Sequence, residues 1–532
     1  MKYMSIGNML FAALLCACSE NGLDSYEYRK IETVNETPKT YYLDATAGSD
    51  ENEGTSPEKA WKTLDKASTF KYQPGDALFL KRGETFEGVL DITAEGTKKQ
   101  PVVIDAYGEE EKEKPLVKGR QMDLYAARIY NSSYVTMQHI AIENKGEYLS
   151  SRSGLKIECK DYGTSRGLVI RELTVQNVTG AYTMEHAPKD KYSGAIMLSN
   201  TGKEKKTKFE KLLIENCHIV NCTRNGIFWS GSGSAYCNRA NWYPNSDIII
   251  RGNLLEKVPG DGILPMGCDG VLVEYNVMRE CPWLGKKWRA AAGFWPWSSD
   301  NVTIQYNFVD GHQAMTDGQA FDCDYNCRNT VIQYNYSTNN HGGFVLFCDD
   351  PSATHINNIG VLESKVRYNI SINDGIRPEK EEKDPSALIH FSGGAVNPQI
   401  DHNIIHTSPT KVKDDYDFSL VTASNGRALV KNPVFRSNVF YAPYQTKPHK
   451  FVMNGADALF ENNWYLGNCT DIPEDAGARK ASDYYQEQVV GVDAEGYEGL
   501  YKLMEKKTVC GKEFYFVKRE AVEAFFAEME KE

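Results

Sequence analysis

The 532-residue sequence has no basic stripe: 60 Lys and Arg face 72 Asp and Glu, a net charge of −12. That excludes the electrostatic footprint of a nucleic-acid binder. Charge runs such as "GEEEKEKP" and "PEKEEKD" are short or mixed and read as solvated loop tips. Cysteine pairs are also missing. Cys323 and Cys327 do not form a CxxC, and no second pair completes a structural zinc site. Most cysteines alternate with apolar residues, as in "FDCDYNC", and read as small buried hydrophobes. Beyond the N-terminus no apolar run is long enough to span a bilayer. Helical periodicity is absent from the long middle of the chain.

What is present instead is a repeat. "VLVEYNVM", "VTIQYNFV" and "TVIQYNYS" are versions of one short strand, with looser copies in "IIIRGNLL", "SKVRYNIS", "IDHNIIH" and "FRSNVFY". Their asparagines are Asn253, Asn276, Asn307, Asn335, Asn369, Asn403 and Asn438. Short strands, Gly/Asn turns and this spacing predict an all-β chain, a parallel β-helix whose coils stack at about 4.8 Å. Asparagines at one position of each coil are expected to form a ladder, each amide satisfying the next.

A second strand aligns by a small residue followed by a large apolar one: "GLKIE", "AIMLS", "GIFWS", "GILPM", "GFWPW", "AFDCD" and "GFVLF". In this register Leu155, Ile196, Ile227, Ile263, Phe294, Phe321 and Phe344 point inward. The outward pairs are Lys156/Glu158, Met197/Ser199, Phe228/Ser230, Leu264/Met266, Trp295/Trp297, Asp322/Asp324 and Val345/Phe347. Two carboxylates thus lie beside two tryptophans on an outer face. Large aromatics there predict the floor of a groove, and tryptophan faces suit sugar rings. Residues two apart on a strand are about 6.6–6.8 Å apart at the backbone, within the range of paired glycosidase acids.

Asp322 and Asp324 are therefore the candidate acid and base, with Asp261 or Asp317 assisting. Trp295, Trp297, Trp288, Arg289, His341 and Asp349 are candidate substrate contacts. No cofactor is required. A Ca²⁺ held by Asp322, Asp324 and Asp317 is the alternative use of the same carboxylates. Insertion 229–247, rich in aromatics, Gly and Ser, reads as a groove wall.

The ends differ. Ser56-Pro57-Glu58 reads as a helix start, with Ala60, Trp61, Leu64 and Ala67 as an apolar stripe that would cap the open end of the stack. "KREAVEAFFAEMEKE" reads as a terminal helix. Lys2 and the run "MLFAALLCAC" have the layout of a secretory signal. Leu15-Cys16-Ala17-Cys18 resembles the lipobox of bacterial lipoproteins. That resemblance implies cleavage before Cys18, acylation of its thiol and export to an outer-membrane anchor, with which Ser19 is compatible. The organisation expected is signal 1–18, linker 19–39, cap and first coils 40–130, β-helix 131–468 and C-terminal extension 469–532.

"YYLDATAGSDENEGTSPEKAWKTLDKAS…PGDALFLKRGETFEG" is similar to the N-terminal portion of exported right-handed parallel β-helix proteins of the pectate-lyase-like superfamily. The resemblance spans about residues 40–465 and implies a carbohydrate-active enzyme. Polygalacturonase-type hydrolases carry Asn-Thr-Asp, Gly-x-Asp-Asp, Gly-His-Gly and Arg-Ile-Lys signatures. None is intact here, and "HGG" at 341–343 is a partial echo, so no catalytic residue carries over. The expectation is a surface-anchored, monomeric glycoside hydrolase acting on an oligosaccharide or polysaccharide. One alternative is a Ca²⁺-dependent lyase on uronate glycans, with Arg289, Lys286 or Lys287 as base. The other is a non-catalytic glycan-binding lipoprotein.

Overall fold

In the computed structural model the described residues are 34–147, 151–179, 193–230, 237–282, 290–314, 316–377, 387–407, 419–424, 430–443, 450–492 and 496–532. The short strands of the stack pair in parallel with strands one coil away and not with their chain neighbours. Three faces result. The first sheet holds 17 strands and the second 13 among the described residues, and the third consists of 7-stranded and 5-stranded runs. Isolated bridges Ile263↔Phe294 and Phe294↔Phe321 join those two runs. Each coil alone has an apolar edge it cannot bury, and stacking makes one continuous core from Tyr41 to Tyr465.

The asparagine ladder forms as expected. Asn253 Nδ2 donates to Asn276 Oδ1 at 2.9 Å, and the pattern continues through Asn307, Asn335, Asn369, Asn403 and Asn438. Asn463 adds a rung absent from the sequence alignment, and Asp475 Oδ2 ends the series by accepting from Asn463 Nδ2 at 2.9 Å. The residue before each rung turns the chain through a left-handed conformation: Tyr275, Tyr306, Tyr334, Tyr368 and His402 have φ of 50–55°. Such φ values cost about 1–2 kcal/mol in a non-glycine residue. Ring stacking at 4.8–5.4 Å along that row offsets it.

The N-terminal helix is not continuous. Pro57–Lys59 is a single 3-10 turn, and the α-helix is only Leu64–Ser68, capped by Thr63, not Ser56. Trp61 between them pairs with Leu43 as a bridge and stacks on Tyr41, so its backbone is extended rather than helical. Trp61, Leu64 and Ala67 are still buried in the main core. At the other end the helix Arg519–Met529 forms as expected, preceded by an unanticipated antiparallel hairpin, Met504–Val509 with Lys512–Val517. Hairpin and helix lie over the tyrosine row: Phe516 meets Tyr275, Phe526 meets Tyr368, and Tyr334 Oη donates to Glu523 at 2.7 Å. The described cysteines are all free, eight of them buried.

Candidate active site

The third sheet is irregular where its two runs meet, and proline explains why. Pro265 and Pro296 occupy the same position in consecutive coils, since Met266 bridges Trp297. Neither can donate to a ladder. The segments there hold on by fewer bonds, such as Trp295 N to Ile263 O at 3.1 Å and Trp297 N to Pro265 O at 3.0 Å. Regular pairing resumes at the strand Gln319–Asp324.

The register beside this irregularity is the expected one. Phe294 pairs with Phe321, so Trp295 neighbours Asp322 and Trp297 neighbours Asp324. The next coil departs from expectation. Phe321 pairs with Val345 and Asp322 with Leu346. Val345 and Phe347 belong to the core, and the outward residues are Leu346 and Cys348. The shift of one residue arises at Gly342-Gly343, where Gly343 adopts φ 107° and both Phe344 N and Val345 N donate to Leu388 O.

The outer face is not an open floor either. Met197, Phe228, Leu264 and Trp297 form a second apolar cluster with Cys237, Ala353 and Ile356 from two overlying loops. Those loops are fastened. Arg239 grips Asp300 through two bonds of 2.8 and 3.0 Å and also donates to Asn326. Asn357 Nδ2 donates to Asn238 Oδ1 at 2.6 Å, tying one loop to the other. Insertion 229–247 is thus a cover in its described part, with 231–236 outside the described residues. Trp297, 6% exposed, is packing beneath that cover and not a sugar platform. Trp295 stays half-buried with Met266 and Tyr325 at the border of the same cluster.

Around Trp295 four carboxylates converge. Asp322 is 4% and Asp324 6% exposed, Asp261 is buried, and Asp317 is the most exposed of them. Asp322 Oδ1 is buried with no hydrogen-bond partner. Burial pushes the Asp322 carboxyl well above the usual carboxylate range, and the charges of Asp324, Asp317 and Asp261 add to it in that order. Both effects favour the protonated form of Asp322. Asp324 Oδ1 accepts from Tyr325 N at 2.7 Å.

Asp261 has a different employment. Its Oδ1 accepts from Ala292 N and Trp295 Nε1, each at 3.2 Å, and its Oδ2 lies 3.6 Å from the buried Arg224. These contacts tie it to the Trp295 indole and to Arg224. Asp317 opens the strand from a left-handed turn, φ 59°, followed by Gly318 at φ 74°. His341 is buried beside this turn, and its imidazole is pushed down to about 4 by burial, then by Arg377 and His312. Asp349 is removed from the cluster in role: its Oδ1 accepts from Asn358 Nδ2 at 3.1 Å and anchors the loop after Gly343–Cys348. Trp288, Arg289, Lys286, Lys287 and Cys18 lie outside the described residues. Among the described residues no group of three or more His, Cys, Asp or Glu converges to hold a metal ion.

Arg377, Tyr325 and the loop around Ile356 were missed from sequence. A lone arginine in "NDGIRP" carries no periodic signal, because its place depends on how far one turn folds back over another.

The family described as right handed beta helix region matches residues 194–376. The chain is a right-handed parallel β-helix. It is 25% identical over 549 aligned positions to a lacto-N-biosidase of Bifidobacterium longum subsp. longum, which covers 86% of this chain and 32% of that protein. The chain thus spans about a third of the length of this curated relative. Two solved structures of the GH136 lacto-N-biosidase from Eubacterium ramulus are also similar. The selenomethionine derivative has a TM-score of 0.59 at 25% identity over 75% of this chain and 67% of the other. The native form has a TM-score of 0.57 at 25% identity over 74% and 68%.

Proposed function

We propose that this chain is a glycoside hydrolase of the lacto-N-biosidase kind, cleaving an oligosaccharide at the carboxylate cluster of the third sheet. The observation that carries the reading is the group Asp317, Asp322 and Asp324 beside the half-exposed Trp295, with one buried carboxyl oxygen unpaired. The likeness to lacto-N-biosidases over most of the chain supports it.

Coupled carboxyls share protons as a set. The raised Asp322 carboxyl favours a proton on the set, and Asp317, the most accessible member, delivers a proton to the glycosidic oxygen. The leaving sugar departs as its alcohol while the Asp324 carboxylate supports the oxocarbenium-like transition state. Water then supplies the hydroxyl to the sugar carbon, and its other proton returns to Asp317. The lyase alternative is weaker, because the relatives at 25% identity over most of this chain are lacto-N-biosidases.

The test is release of lacto-N-biose from a chromogenic lacto-N-bioside. Asp317→Asn and Asp324→Asn are expected to lower kcat by about 10²–10⁴-fold, and Asp322→Asn by less, with a shifted acid limb of the pH profile. If Asp322→Asn is as inactive as Asp324→Asn while Asp317→Asn stays active, the proton donor is Asp322. If all three retain wild-type cleavage, the hydrolytic site is elsewhere.

A further inference from the structure

Arg377 is 1% exposed, one of the largest fully buried side chains of the protein. Burying an arginine is costly unless its donors are satisfied. Its Nε donates to Ala314 O at 3.1 Å and its Nη2 donates to Asp317 O. These are the carbonyls of the turn that leads into the Asp-bearing strand, sixty residues earlier in the chain. A side chain that spans two carbonyls with a rigid planar fork fixes their relative direction.

The turn needs such a hold. Asp317 and Gly318 are consecutive left-handed residues, a conformation that persists only where its surroundings enforce it. Gly318 N donates to Ala291 O at 2.8 Å, and Gly342 N donates to Gly318 O at 3.0 Å, so the coils on both sides grip the peptide after Asp317. The Asp317 carbonyl is the other edge of the planar peptide whose N–H Ala291 holds, and Arg377 holds that edge. The arginine also starts from a rigid base. Gly375 N donates to Asn340 O at 2.8 Å, and the buried Asp374 accepts from Asn340 Nδ2 at 2.8 Å and from two serine hydroxyls at 2.5 and 2.6 Å.

We infer that Arg377 is a positioning residue: by holding the Ala314 and Asp317 carbonyls it sets the direction in which the Asp317 carboxyl leaves the turn. This rests on the reading of Asp317 as proton donor. A misplacement of about 1 Å at a reacting group costs about 10²-fold in rate, so the effect belongs in kcat and not in substrate retention, which Trp295 governs.

The experiment compares full-length wild type with Arg377→Met, Arg377→Lys and the exposed control Arg436→Met in two measurements. Hydrogen exchange of peptides covering 312–320 is expected to quicken in Arg377→Met and less in Arg377→Lys, and to be unchanged in Arg436→Met. On a chromogenic lacto-N-bioside, kcat is expected to fall about 10- to 100-fold in Arg377→Met with KM within about twofold, and to recover partly in Arg377→Lys. Should Arg377→Met keep wild-type exchange and kcat, the inference is overturned while the hydrolase reading stands. Should Asp317→Asn keep wild-type kcat, the proton-donor reading falls, and with it the catalytic consequence of the hold. A rise in KM equal to the loss in kcat/KM would also overturn it, because it would place Arg377 in substrate binding.

Discussion

At the scale of single residues, two tryptophans with the same sequence signature have opposite duties. Trp295 presents part of its surface beside Asp322 and is oriented by Asp261, whereas Trp297 is sealed under the loops that carry Cys237 and Ile356. Removing Trp295 should cost stacking of about 0.5–1.5 kcal/mol, which raises KM by about 2- to 10-fold with little change in melting temperature. Trp297→Ala should lower the melting temperature by leaving a cavity and alter KM much less. Steady-state kinetics beside thermal melts separates the two, and the reverse pattern would show the platform to be misassigned. His341 supplies a pH test. Its folded imidazole titrates at about 4 and an unfolded one near the ordinary 6.5. Below about 6.5 the unfolded chain takes the proton first, so stability present above that pH is lost as pH falls toward 4. His341→Gln should show a shallower fall in melting temperature between pH 6.5 and 4.5 than the wild type, and parallel curves would refute the assignment.

At the scale of elements, the asparagine rows make the coils a cooperative stack. Each Oδ1 accepts both the Nδ2 and the backbone N–H of the preceding rung, as Asn369 does from Asn335 at 3.0 and 2.9 Å. Asn335→Ala orphans the buried backbone N–H of Asn307 and removes the Asn335 Nδ2 donor from Asn369 Oδ1 and Ile304 O, at about 1–3 kcal/mol for an unsatisfied group. Its melting temperature should drop well below that of an exposed change such as Arg436→Met; an unchanged melt would mean the ladder contributes no stability. This layer was also the most legible in sequence. The Tyr-Asn repeat carried the coil length, and the small-then-apolar alignment of the second strand carried the lateral register of Trp295 with Asp322, since both follow from periodicity. Legibility ended where the period breaks. One additional residue at Gly342-Gly343 moved Val345 and Phe347 to the core, and a helix expected from Ser56 became two short turns around Trp61. Nor could periodicity reveal that two loops, far apart in sequence, would meet through Asn238 and Asn357 and cover Met197, Phe228, Leu264 and Trp297 of the expected floor.

At the scale of the whole molecule, the stacked coils carry the acidic cluster near the junction of the two third-sheet runs, and the C-terminal hairpin and helix cover the tyrosine row beside the asparagine ladder. Export and lipid anchoring through Cys18 are proposals from the lipobox resemblance. Cys18→Ala should abolish incorporation of labelled palmitate and release the protein from the membrane fraction; equal labelling of the variant would contradict anchoring at that residue. Three acyl chains would make the attachment stable where one alone is marginal.

The central claim is that sugar is cut where Asp317, Asp322 and Asp324 meet Trp295. The most direct test is a crystal structure of the Asp324→Asn variant soaked with an oligosaccharide bearing a terminal lacto-N-biose. The account predicts a sugar ring against the Trp295 indole and the glycosidic oxygen within hydrogen-bond reach of the Asp317 carboxyl. Density for the sugar at another face of the β-helix, with this cluster empty, would contradict it.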